Sequence, residues 1–88
     1  MGNLVVKVEV IESERGWGRR TDDWMVCLTM EDAKAFEEEF NARNTATTVP
    51  DWYMQAEGKP QPIDITDSQM KYLKKEKRVW LSVLLKNN

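Results

Sequence analysis

Apolar residues occupy every second position near the start of the chain, from Leu4 to Val10. Lys7 and Glu9 fall between them, so one side of this segment is apolar and the other is charged. A period of two residues is typical of a strand that is buried on one side. The pattern predicts a β-strand from Leu4 to Glu12.

A second run of β-prone residues extends from Trp24 to Leu28. The polar segment between the two runs, residues 13–23, contains Gly16 and Gly18. The simplest topology is a β-hairpin whose loop spans this whole segment, beyond the usual length of roughly two to five residues. A loop of that length predicts a segment that is functional or mobile.

The hydrophobic period changes after Leu28. Ala33, Phe36 and Phe40 recur at spacings of three and four residues, which predicts an amphipathic helix. Thr29 is a suitable N-cap, because its hydroxyl can accept a bond from a free backbone N–H of the first turn. The helix is expected to end between Asn41 and Asn44, where polar residues take over.

A third strand is predicted from Val49 to Ala56, with Pro50 at its start because proline cannot donate to the sheet. Residues 57–62, EGKPQP, are predicted to form a loop. Thr66 and Gln69 then form a capping-box pattern, and Ile65 and Met70 are placed as its hydrophobic staple. A helix is expected to begin there.

The end of the chain has two interpretations. The absence of glycine and proline after the capping box favours one helix that continues to Leu85. The aromatic and β-branched residues favour a break near Lys77, followed by a strand from Val79 to Leu85. The sequence does not decide between them.

These elements predict a single α+β domain over residues 1–88, in the order β-β-α-β-α. We expect a small antiparallel sheet with the helices packed on one face.

Composition removes several classes of function. The formal net charge is −2, with 13 basic and 15 acidic residues, which argues against a nucleic-acid binder that neutralises phosphates. No apolar stretch is long enough to span a membrane. With no histidine and with Cys27 as the one cysteine, the chain lacks the usual ligands of a zinc site, and neither a metal nor a cofactor is expected. Cys27 lies in an apolar run, so a buried inert thiol is expected.

The segment ESERGWGRRTDDW, residues 12–24, concentrates the chemistry of recognition. Trp17 lies between two glycines and can stack on a flat ligand, and the nearby arginines can bind phosphate or carboxylate through two parallel hydrogen bonds. The alternative is structural, with Trp17 packed on the sheet and the arginines paired with neighbouring acids. The candidate binding residues are Arg15, Trp17, Arg19, Arg20, Asp22, Asp23, Trp52 and Tyr53.

Several segments together resemble small uncharacterised accessory proteins of tailed bacteriophages. They are ERGWG at residues 14–18, the pair Asp22 and Asp23, the helix with Ala33, Phe36, Phe40, Asn41, Asn44 and Thr45, and VPDWYMQA at residues 49–56. The resemblance covers about residues 8–57. It implies an accessory protein that acts in the cytoplasm of the infected bacterium, by binding rather than by catalysis, and it assigns no role to any residue.

Three functions follow as expectations. The first is a non-enzymatic inhibitor that binds a host protein of an anti-phage defence. The second is a sponge that sequesters a nucleotide second messenger, and the third is an enzyme that uses carboxylates such as Asp22 and Asp23. Self-association through the apolar segment Val79–Leu85 is also expected, since this segment carries more apolar surface than one short element can bury.

Overall fold

The computed structural model describes residues 2–14, 18–43 and 52–86, with the backbone alone at residues 52 and 53. In this part of the chain the strands are β1 (Asn3–Glu14), β2 (Gly18–Cys27), β3 (Trp52–Ile65) and β4 (Arg78–Trp80). The helices are α1 (Met30–Arg43), α2 (Asp67–Glu76) and α3 (Leu81–Leu84). The strands form an antiparallel sheet in the order β3-β1-β2-β4. The predicted α+β class is confirmed, with β4 and α3 as additional elements.

The helices cover both faces of the sheet, so the prediction of one covered face is wrong. One face of the sheet carries Val8 and Met25, which pack with Phe36 of α1. The other face carries Val5 and Val26, which pack in a separate core with residues of α2 and α3. The two faces differ because side chains of a strand point alternately to opposite sides. The sequence signal for the second covered face is Val5, an apolar residue on the same side of β1 as Lys7 and Glu9.

The predicted long hairpin loop is also wrong. β1 continues to Glu14 and β2 begins at Gly18, so most of residues 13–23 belong to the sheet. Gly18 has a φ of 87°, which a residue with a side chain rarely adopts. Pairing with β1 shifts between Val10 and Ile11, which places Asp22 as an extra residue in a β-bulge.

β3 includes residues 57–62, where a loop was predicted. The strand accommodates Pro60 and Pro62 because it lies at the edge of the sheet, where a missing N–H donor is tolerated. Lys7 pairs with Gln61 and Glu9 pairs with Glu57, so the three residues 58–60 of β3 lie opposite Val8 alone. Gly58 has a φ of 84° in this irregular stretch.

The predicted start of α1 is confirmed. The Thr29 hydroxyl accepts a hydrogen bond from the Asp32 N–H at 3.1 Å, which caps the first turn. α1 is helical as far as Arg43, the last described residue before position 52, so its predicted end stays a prediction. Phe36 and Phe40 then reach Trp80 of β4, with ring centroids 6.1 and 6.2 Å away. Trp80 therefore joins the last strand to the core beneath α1.

The Thr66 capping box is confirmed in both directions. The Gln69 N–H donates to the Thr66 hydroxyl at 3.1 Å, and the Thr66 N–H donates to the Gln69 side chain at 3.0 Å. Ile65 is buried and Met70 packs in the same apolar cluster, as the staple requires.

Replacing Thr66 with alanine is expected to lower the free energy of unfolding by roughly 0.5–2 kcal/mol, because the Gln69 N–H loses its acceptor. Urea denaturation measures this change. Ser68→Ala is the matched control, because Ser68 is exposed in the same turn. An unchanged midpoint for Thr66→Ala would contradict the role of the cap.

The interpretation with a break near Lys77 and a strand from Val79 to Leu85 is confirmed only in part. α2 ends at Glu76, and Lys77 breaks the helix with a φ of 77°. The strand that follows is only three residues long, and one helical turn completes the described chain.

Candidate functional site

The structure separates the predicted binding residues. Arg15 and Trp17 lie outside the described residues, so the predicted Trp17 site stays a prediction. The backbone of Trp52 and Tyr53 forms part of β3, but their side chains are not among the described parts of the structure. The remaining four residues, Arg19, Arg20, Asp22 and Asp23, all lie on β2.

Arg19 and Arg20 do not converge on one site. Arg20 donates to Glu12 at 3.4 Å, and it lies directly opposite this residue in the sheet. Arg19 instead donates to Glu57 of β3. Because Arg19 and Arg20 are consecutive in a strand, their side chains point to opposite faces. Each described arginine of the predicted cluster therefore binds a carboxylate on its own side.

The two neighbouring aspartates occupy different environments. Asp22 is exposed at the bulge. The Asp23 carboxylate accepts from the Ser82 hydroxyl at 2.6 Å and from the Trp24 N–H at 2.7 Å. Asp23 therefore connects β2 to the start of α3, which is a structural task in addition to its predicted binding role.

A small cleft lies beside Arg20 at the end of the hairpin. The described residues that line it include Glu12, Glu14 and Gly18, and its volume is about 120 Å³. Small-molecule sites are usually about 300–1,000 Å³. Two carboxylates on the wall also disfavour the phosphates of a nucleotide.

A different surface lies on the sheet face opposite α1. α2 and α3 pack against the end of this face that holds Val5, Val26 and Val79. The other end carries half-buried or exposed side chains that contact one another across three strands. We call this surface the open face, and its residues are Lys7, Glu9, Arg19, Thr21, Trp24 and Glu57.

Three contacts organise the open face. The Lys7 ammonium lies 4.2 Å from the centroid of the Trp24 ring. The Thr21 hydroxyl donates to Glu9, which lies directly opposite both Trp24 and Glu57. The Arg19–Glu57 ion pair then joins β2 to β3 across the central strand. Charged groups of both signs therefore surround one tryptophan on this surface.

Ile11 lies on the same face of the sheet. It is 6% exposed, and its row in the sheet lies between the rows that contain Arg19 and Glu57. The Arg19–Glu57 pair therefore crosses β1 at the level of Ile11. Ile11 is therefore a buried apolar side chain at the level where this ion pair crosses the sheet.

Sequence reasoning identified Arg19 but missed the rest of the open face. The available signal was the polar side of the β1 alternation, where Lys7 and Glu9 follow each other at two-residue spacing. The sequence pattern marks Trp24 only as a β-prone residue. Glu57 was placed in a loop, and the register that brings it next to Glu9 depends on the bulge in β3.

A second polar cluster holds the domain together. Arg78 donates to both oxygens of Asp32, at 2.8–3.2 Å, and to Glu39 at 2.5 Å. The hydrogen bonds from Arg78 lower the pKa of Asp32 below its ordinary value, and the hydrogen bonds to Asp32 and Glu39 raise the pKa of Arg78.

Burial raises the pKa of the Cys27 thiol to about 12, and the side chain is fully buried. The predicted burial of the Cys27 thiol is thereby confirmed.

No protein-family model, curated protein or solved structure matches the chain. Within residues 2–14, 18–43 and 52–86, no helix is long and apolar enough to cross a membrane.

Proposed function

We propose that the chain is a phage-encoded accessory protein that binds and inhibits a host protein of an anti-phage defence, in the cytoplasm of the infected bacterium. The observation that carries the binding role is the open face, where Lys7 lies over Trp24 and the exposed Arg19–Glu57 pair crosses the sheet at the level of Ile11. The resemblance to phage accessory proteins supports the setting.

The energetics of the open face favour protein recognition. Tryptophan and arginine are the residues that most often dominate the binding energy of protein interfaces. The polar cover is easy to displace, since an exposed ion pair contributes about 0–1 kcal/mol and an exposed cation–π contact about 0.5–1 kcal/mol. A partner that moves Arg19 or Lys7 aside gains contact with Ile11 or Trp24. Its own charges can then replace the ion pairs that it breaks.

The described geometry favours this function over the nucleotide sponge and the carboxylate enzyme. A sponge requires arginines that converge on phosphate, whereas Arg19 and Arg20 point to opposite faces and each binds a carboxylate. An enzyme built on the aspartate pair would need Asp23 to be available, and its carboxylate already accepts bonds from Ser82 and Trp24.

Capture of a partner from infected bacterial lysate tests the proposal. We expect Arg19→Glu to abolish the capture of a specific host protein, because the reversed charge lies on the open face and repels Glu57. Arg20→Glu is the matched control, since it makes the same change at the next residue on the opposite face. Mass spectrometry of both proteins and small molecules identifies what is captured, and melting temperatures confirm that both variants are folded.

The outcomes separate the three functions. Loss of a host protein with Arg19→Glu alone supports the proposed inhibitor. Loss of a co-purified nucleotide with both variants would indicate the sponge. Equal capture by both variants would exclude the open face as the binding surface. Trp17→Ala extends the test to the hairpin, where we expect loss of capture without loss of the fold.

A further inference from the structure

The connection between α2 and β4 is strained at Lys77. The Lys77 N–H donates to the Leu73 carbonyl at 2.7 Å, which continues the helical hydrogen-bonding pattern. The chain then turns sharply, with φ 77° and ψ −48° at Lys77. Among the described residues, Lys77 is the only non-glycine residue with a positive φ. A residue with a side chain is destabilised in this conformation.

The segment beyond this turn, residues 78–86, forms a C-terminal arm that attaches to the rest of the domain through specific contacts. Arg78 binds Asp32 and Glu39 of α1, and Val79 lies opposite Val26 of β2. Further along, Ser82 binds Asp23 and Leu84 is fully buried. The arm therefore matches a surface that every copy of the chain presents.

We propose that two copies of the chain exchange their C-terminal arms and form a domain-swapped dimer. In this dimer Lys77 relaxes to a negative φ, while β4 and α3 keep their contacts on β2 and α1 of the second copy. Exchange of an identical element is a low-cost route to a dimer, and a short strained hinge favours it.

The strain at the hinge sets the expected affinity. The strained positive φ at Lys77 disfavours each closed monomer by about tenfold, and a dimer relieves two hinges, so the exchange gains about a hundredfold. In the monomer, the tethered arm competes with the arm of a second copy for the same surface, at an effective concentration on the order of 1 mM. Dividing this effective concentration by the hundredfold gain gives an expected Kd for the dimer on the order of 10 μM.

Sedimentation of two variants at Lys77 tests the exchange. At about 100 μM, wild-type protein should be mainly dimeric. Lys77→Gly should weaken the dimer about a hundredfold, because glycine adopts a positive φ without strain. Lys77→Ala removes the same charge but keeps the strain, so it should remain dimeric.

Leu85→Glu separates the swap from association of an apolar surface. Leu85 is 59% exposed, so a dimer formed by contact between exposed residues of the arm would dissociate in this variant. The swapped dimer should persist. The proposal would be overturned by a wild-type monomer at about 100 μM, by a Lys77→Gly dimer as tight as the wild type, or by dissociation of Leu85→Glu.

Discussion

Replacing Phe36 with alanine is expected to lower the free energy of unfolding by about 3–5 kcal/mol, the typical loss for a truncated core aromatic. Phe36 is 6% exposed and lies where α1 packs on the sheet. Its ring contacts Phe40 at 5.3 Å between centroids and Trp80 edge-on at 6.1 Å. The loss should therefore weaken the attachment of both α1 and β4.

Urea denaturation followed by circular dichroism measures this loss. Phe36→Leu keeps most of the apolar volume and should cost less than about 1.5 kcal/mol. Glu38→Ala is the control on the exposed side of α1 and should change the stability by less than about 0.5 kcal/mol. A Phe36→Ala variant as stable as the wild type would contradict the position of α1.

Replacing Asn41 with alanine is expected to lower the free energy of unfolding by roughly 1–3 kcal/mol. The Asn41 amide donates to the Ala56 carbonyl at 2.9 Å and accepts from the Ala56 N–H at 2.8 Å. Ala56 lies on edge strand β3 and is 1% exposed, so the asparagine replaces the missing neighbouring strand at this point. Without it, two buried backbone groups lose their partner.

The same denaturation experiment tests this role. Arg43→Ala is the matched control, because Arg43 is exposed in the same last turn of α1 and should change little. Asn41→Asp retains only the acceptor and places a carboxylate beside the Ala56 carbonyl, so it should also destabilise the domain. A neutral effect of Asn41→Ala would show that the edge of β3 does not depend on this contact.

Local signals in the sequence predicted the starts of α1 and α2 and the first strand well. The Thr66 capping box and the Thr29 N-cap act within one helical turn, so their outcome depends little on the rest of the chain. The alternation that ends at Val10 identified β1 for the same reason. Leu4, the first residue of that apolar face, is 74% exposed, because burial depends on what packs there.

The tertiary features were harder to predict. The break at Lys77 carries no glycine or proline, and it is stabilised by distant contacts such as Arg78 with Asp32. The strand through Pro60 and Pro62 depends on its position at the sheet edge, which no local pattern reveals. The covering of both faces likewise follows from where the C-terminal arm docks.

The candidate site likewise combines features that local sequence signals predict with features that depend on the tertiary structure. The sequence identified a cluster of arginines, but it did not reveal that Arg19 and Arg20 lie on opposite faces once β2 extends to Gly18. The open face exists because the register brings Glu9, Trp24 and Glu57 into one row. Neighbours across a sheet are set by register, which two bulges alter in this domain.

The most direct test of the open face is a hydrogen–deuterium exchange comparison of the free protein with its complex with the captured host protein. We expect partner-dependent protection in β1, β2 and β3 around Glu9, Trp24 and Glu57, with exchange unchanged along the exposed side of α1. Protection confined to α1 or to the C-terminal arm would contradict the assignment of the open face as the binding surface.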